Sequence, residues 1–297
     1  MQVRNSGDAQ VRPSVVMLCY GQGGVGKTTF SATAPKPIIA DCENGAKYFG
    51  LRGIKVDVAS IENWNDIVEF YKLIKVSDYE TIVVDPIGEL MEKLKAHIVA
   101  GKEKKFVQYD GSLTMAGWGE MKDKMRNFIK SLRDLGKHVI IIAHVEEKDD
   151  EGKIVKRPKI MTKMSEELVS IVDVVGFMET VRVPNAETGD VEDKRIIRVQ
   201  PSDKYESKDR TGQLGAIIEP DFTKIIAACQ GTKTFKWSSA KALKNEMVKE
   251  VKQVISETEK IIEDALEEMV DELAEAPKKP KAVTKESIAK KIDEHGE

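Results

Sequence analysis

Eight consecutive residues, Gly21-Gln-Gly-Gly-Val-Gly-Lys-Thr28, constrain this chain more than anything else in it. They fit the spacing G-x-x-x-x-G-K-[ST], in which glycines let backbone N–H groups turn inward around a phosphate. With average residue frequencies the pattern should arise by chance in only about 1% of chains this long. Its setting sharpens it. The apolar run VVMLCY at 15–20 precedes it, as a buried strand would, and residues 27–33 read as the start of a helix. A strand, a glycine turn and a helix bring the positive helix end to an anion. In that geometry Gly21, Gln22, Gly23, Gly24, Val25 and Gly26 wrap the β-phosphate and Thr29 follows in the same cradle. Lys27 reaches the β- and γ-phosphates, and the Thr28 hydroxyl ligates Mg²⁺.

The surrounding pattern predicts the layers. Short apolar runs at 38–41, 55–58, 81–85 (TIVVD) and 138–144 (HVIIIAH) alternate with helix-period stretches at 63–75, 87–100 and 117–135. Strands apolar throughout and separated by helices indicate a mainly parallel sheet covered on both faces. Residues 173–183 and 194–201 form a later strand pair joined by a turn at 185–189. The expectation is a three-layer α/β domain over 14–238. Residues 239–276 then read as an amphipathic helical segment, with apolar side chains at three- and four-residue intervals. Residues 277–297 read as a linker and a short charged tail.

Composition excludes several classes. Of 297 residues 41% are hydrophobic and 33% charged, which rules out a wholly disordered or fibrous chain. No apolar run approaches the roughly 20 residues of a membrane span. The start of the chain lacks the apolar stretch of a secretory signal. Cys19, Cys42 and Cys229 form neither a metal spacing nor a disulfide framework. These features together predict a cytoplasmic protein with no membrane partner. The net charge of −3 is uneven: residues 240–276 hold five Lys against eleven acids, a net of −6.

Two acids stand where nucleotide chemistry needs them. Asp85 closes the apolar run TIVVD, a position from which its carboxylate would hold Mg²⁺; it could equally cap the following helix. Glu43 lies two residues beyond the strand end at Asp41, at the carboxyl edge where open α/β sheets bind ligands. From there it could orient and polarise an attacking water, or simply be a loop acid.

In order along the chain, the phosphate loop, IIADCE, TIVVD and IIIAH resemble the RecA-like ATPase core. More narrowly, they are similar to short phage-type RecA-like ATP-binding proteins that act with single-strand annealing and recombination systems. The loop start YGxxGxGKTT, the D-x-E strand end and a late K-x-R occur here as residues 20–29, Asp41-Cys-Glu43 and Lys208-Asp-Arg210. The resemblance spans about residues 14–230 and implies ATP with Mg²⁺, Glu43 as the catalytic carboxylate, and host-cell cytoplasm if the chain is phage-encoded. It puts His144 where the family usually carries Gln or Asn to sense the γ-phosphate, although a backbone-bonded strand-end histidine fits the sequence too. It makes Lys208 and Arg210 a finger reaching a neighbouring subunit's nucleotide in a ring or filament; the plain alternative is a solvated basic turn.

Two long polar stretches, 101–119 and 145–163, complete the reading. The first places Lys102, Lys104 and Lys105 beside Phe106 and Tyr109, and the second carries Lys156, Arg157 and Lys159. Cations tracking phosphates beside rings that stack on bases suit single-stranded DNA, and the RecA-like resemblance raises that expectation over mobile solvated loops. The expected function is thus Mg-ATP-dependent, single-stranded-DNA-binding ATPase activity in annealing or recombination, by a homo-oligomer, with a single-strand-binding protein as a possible partner of the acidic segment. Two alternatives stay open: a helicase-like motor or loader, and a nucleotide-gated adaptor.

Overall fold

The computed structural model describes residues 14–150, 152–184 and 191–231. The segments predicted over 239–276 and 277–297, and the turn at 185–189, lie outside the described residues. In chain order the elements are β1 (Val16–Gly21), α1 (Lys27–Ser31), β2 (Pro37–Asp41), β3 (Asp57–Ser60), α2 (Trp64–Val76), β4 (Thr81–Asp85), α3 (Ile87–Ala100) and α4 (Met115–Asp134). There follow β5 (His138–Asp150), β6 (Lys153–Pro158), α5 (Thr162–Ile171), β7 (Val174–Pro184), β8 (Val191–Arg198), β9 (Lys208–Asp209), β10 (Ile217–Ile218) and α6 (Phe222–Cys229).

The main sheet runs β10-β8-β7-β1-β5-β4-β2-β3, with β6 attached to β5 and β9 to β7. Every neighbour pair from β7 through β1, β5, β4 and β2 to β3 is parallel. The β7–β8 and β8–β10 pairs are antiparallel. All six residues of β1 are buried, as a central strand covered on both faces requires.

Alternation along the strands sorts the core into two layers. Val16, Leu18, Tyr20, Ile82, Val84, Ile141 and Phe177 face α2, α3, α4 and α5. Met17, Cys19, Ile39, Val83, Ile140 and Met178 face Phe30 of α1 and Phe222 and Ile225 of α6. The helices start on local signals. Asn63 and Asp66 form a reciprocal capping box on α2, and Thr114 caps α4 through the Gly117 N–H. This is the three-layer, mainly parallel RecA-like P-loop core that the sequence predicts.

One stretch departs from expectation. Residues 145–163 do not form a loop: β5 continues to Asp150, and β6 returns antiparallel against it. Opposite charges face one another across the two strands, and Arg157 pairs diagonally with Asp150. Glu146 stands opposite Arg157, Glu147 opposite Lys156 and Asp150 opposite Lys153. Gly152, at φ 84°, makes the turn and donates its N–H to Asp149. The long polar stretch after α3 is also shorter than expected, because α4 already begins at Met115.

Candidate nucleotide-binding site

Parallel register brings the chemistry to one sheet edge. Gly21 ends β1 level with His144 in β5, and Asp41 ends β2 level with Asp85 in β4. Because β5 lies between β1 and β4, the phosphate loop and the acid Asp85 stand two strand spacings apart, roughly 10 Å. Side chains from the strand ends and the loops beyond them converge across that gap.

The loop itself is built by close approach. Gly21 runs so near β7 that a side chain there would collide with the Met178 carbonyl oxygen. Gly24 and Gly26 take φ of 77° and 103°, left-handed values that a side chain would strain. Lys27 is buried, and its ammonium donates to the Gly21 and Gln22 carbonyls at 2.9 and 2.8 Å. Burial pulls its pKa below the ordinary lysine value, while the nearby Asp85 and Glu43 carboxylates act the other way. Two residues on, Thr29 accepts a hydrogen bond from Arg52 at 3.1 Å.

Asp85 is 4% exposed, and its Oδ2 has no hydrogen-bond partner among the described residues. Burial pushes its pKa up to about 6; the Thr28 hydroxyl bond lowers it, and Glu43 and Asp41 raise it further. A buried carboxylate oxygen left without a partner is costly. Mg²⁺ placed between Asp85 and Thr28 would remove that cost, so these residues fit the metal. Among the described residues no group of three or more His, Cys, Asp or Glu could hold a metal ion. That suits Mg²⁺, which typically takes one or two protein ligands and completes its shell with phosphates and water.

Glu43 and His144 meet. Glu43 Oε2 lies 3.3 Å from His144 Nε2, with both side chains partly open to solvent. Asp41 fixes the segment that carries Glu43. Its Oδ1 accepts the N–H groups of Glu43 and Gly45, and its Oδ2 accepts that of Ala46, at 3.0 to 3.2 Å. The turn passes through Asn44 at φ 60°, and a side chain at Gly45 would stand 3.7 Å from Thr28 Oγ1. The sequence reading used Asp41 only to mark a strand end and missed this anchoring role. The signal was an acid followed four residues later by glycine, a turn that short polar side chains close.

Other expected site residues stand elsewhere. Lys208 and Arg210 stand away from the loop: β9 pairs with Val174 and Val175 at the start of β7, whereas Gly21 neighbours Met178 further along that strand. Lys208 donates to the Val169 and Val172 carbonyls at the end of α5, and Arg210 donates to Ser170 O. Neither serves the phosphate loop of its own chain. Lys102, Lys104, Gln108 and Tyr109 line a cleft of about 750 Å³ formed largely by the loop after α3. Tyr109 is fully exposed, while Phe106 is half-buried beneath Lys105, whose ammonium is 5.2 Å from the ring centre. Lys156 lies over Phe177 at 5.3 Å and shares a cleft of about 410 Å³ with residues 22–25. Arg157 is paired with Asp150 at 2.7 Å. Lys159 donates its N–H to His144 O at 2.7 Å and lines a cleft with the His144 side chain.

A family model described as AAA domain matches residues 14–211. The chain belongs to the AAA domain family. No curated protein matches it. Among solved structures, a KaiC-like protein from the hyperthermophilic archaeon Pyrococcus horikoshii OT3 aligns at 15% identity and a TM-score of 0.36, covering 63% of this chain and 78% of that one. Loop, fold and family make the AAA-domain chain a P-loop ATPase. Family membership does not reach the recombination group whose motifs the sequence resembles. No helix among the described residues is long and apolar enough to cross a membrane.

Proposed function

We propose that this AAA-domain chain hydrolyses Mg-ATP while binding single-stranded DNA, and that it promotes annealing or recombination as a homo-oligomer. Glu43 takes the proton of the attacking water, and His144 reads the state of the γ-phosphate. Asp85 and Thr28 hold the metal, and Lys27 holds the β- and γ-phosphates. The observation that carries the proposal is the 3.3 Å contact between Glu43 and His144, because His144 is also the root of the β5–β6 hairpin. A change at the γ-phosphate that loosens or tightens this contact acts directly on β5, and through Lys159 N–H on the segment that joins β6 to α5. The hairpin and the loop bearing Lys102, Lys104, Lys105, Phe106 and Tyr109 would meet the DNA, cations on phosphates and the exposed Tyr109 ring on a base. Lys208 and Arg210 would act only on a neighbouring subunit's nucleotide, after leaving the end of α5.

The test is fluorescence anisotropy of a labelled oligothymidine with Mg-ATP or Mg-ADP present. Wild type should bind severalfold more tightly in one nucleotide state, with an affinity that falls steeply as salt rises. His144→Ala should bind the oligonucleotide equally in both states. Absence of oligonucleotide binding at low salt in either state contradicts the DNA assignment. One observation favours the nucleotide-gated adaptor instead: Arg157 and Lys148 are already paired with Asp150 and Glu146 inside the hairpin. Intact ATP turnover without oligonucleotide binding is the outcome that reading expects.

A further inference from the structure

The phosphate loop has a second cation beside it, and the motif does not contain it. Arg195 comes from β8, almost 170 residues after the loop, opposite Thr180 of β7. Its side chain crosses the face of Gly26 that lacks a Cβ: a carbon built there would lie 3.4 Å from both Arg195 Cδ and Nε and 3.6 Å from Cζ. Arg195 is exposed, and among the described residues no carboxylate lies within ion-pair distance of it. Beside it opens a cleft of about 610 Å³, walled by Thr180 and Asp193 on one side and Glu219 and Asp221 on the other. Asp193, Glu219 and Asp221 share the cleft, but with none of them within ion-pair distance the arginine's donor fork, held against the glycine of a phosphate cradle, stays open to an oxyanion.

The flank it occupies decides which oxyanion. Asp85, Glu43 and His144 all belong to the β5, β4 and β2 side of β1, where the γ-phosphate chemistry lies. Arg195 approaches from the β7 and β8 side. We propose that Arg195 is a nucleotide-binding residue acting within its own subunit, donating to the α- and β-phosphates that ATP and ADP share. This rests on the assignment of the loop as a nucleotide site. Arg195 would neutralise charge on the bound diphosphate portion and would be used equally before and after hydrolysis. It thereby differs from a finger supplied by a neighbour, which contributes only when the γ-phosphate is present.

That equality is what an experiment reads. Affinities of Mg-ADP and of Mg-ATP are measured by isothermal titration calorimetry for wild type, Arg195→Gln and Arg195→Lys, with melting curves to compare folding. Losing charge-assisted hydrogen bonds predicts that Arg195→Gln weakens both nucleotides by about tenfold to a hundredfold, by the same factor. Arg195→Lys should recover part of the loss, since it keeps the charge but not the fork. ADP affinity unchanged in Arg195→Gln overturns the proposal. Weakening of ATP alone also overturns it, because that places the arginine at the γ-phosphate. Failure of wild type to bind either nucleotide removes the site itself and the proposal with it, a result distinct from a variant-specific loss.

Discussion

At the scale of single residues, Asp41 and Glu43 stand two positions apart and do separable things. Asp41 satisfies three backbone N–H groups of the turn, whereas among the described residues the Glu43 carboxylate pairs with His144. Glu43→Gln should therefore keep the fold and nucleotide binding while slowing ATP turnover by about 10²- to 10⁴-fold, the range of general-base catalysis. Asp41→Ala should lower stability by about 1–3 kcal/mol, the cost of unsatisfied buried donors, and should slow turnover by displacing Glu43. Urea unfolding and single-turnover assays on both variants separate the two effects. Asp85 makes a prediction of opposite sign. Its folded pKa of about 6 stands above the ordinary aspartate value, chiefly because it is buried. The folded chain then holds a proton there that the unfolded chain has released, so stability from this group is present below pH 4 and lost as pH rises through 6. In buffer with EDTA and no nucleotide, Asp85→Asn should melt higher than wild type at pH 8, with little difference at pH 4. A lower melting temperature at pH 8 would contradict the unpartnered state of its carboxylate.

At the scale of elements, α4 and α5 are clamped by one acid. Glu167 accepts from Arg126 Nε and Nη2 at 2.7 and 2.8 Å, and Lys122 stands beside it. The Arg126 bonds above all hold the Glu167 carboxyl down to about 2. Its stabilisation is therefore present above the unfolded glutamate pKa and fades as pH falls from about 5 toward 2. Glu167→Gln should cost about 1 kcal/mol at pH 7, near the upper end for exposed pairs because the Arg126 contact is bidentate. The gap from wild type should narrow by pH 3.5; a gap independent of pH removes the charge from the explanation. Elements of this kind show what the sequence could tell. β4 and α3 fall where the periodicity of TIVVD and the 87–100 stretch predicts, because local pattern and tertiary burial agree there. The β5–β6 hairpin was misread, since its acids and bases look solvated until the strands face each other. Arg195 was out of reach altogether: nothing within the chain near Gly26 signals a side chain delivered by a strand so far along.

At the scale of the whole molecule, the positions of Lys208 and Arg210 decide how an assembly could work. Both lie beside the start of β7, away from their own phosphate loop, and close off α5. If they act on a neighbour, Arg210→Ala protein mixed with Lys27→Ala protein should recover part of the ATPase activity through mixed interfaces. Recovery at no mixing ratio confines the pair to capping α5. The most direct test of the proposal as a whole is the steady-state ATPase rate with and without single-stranded DNA across a range of protein concentrations. Coupling of the Glu43–His144 site to DNA in an oligomer predicts a severalfold stimulation that grows with protein concentration. A rate per chain that is unchanged by DNA at every concentration contradicts it.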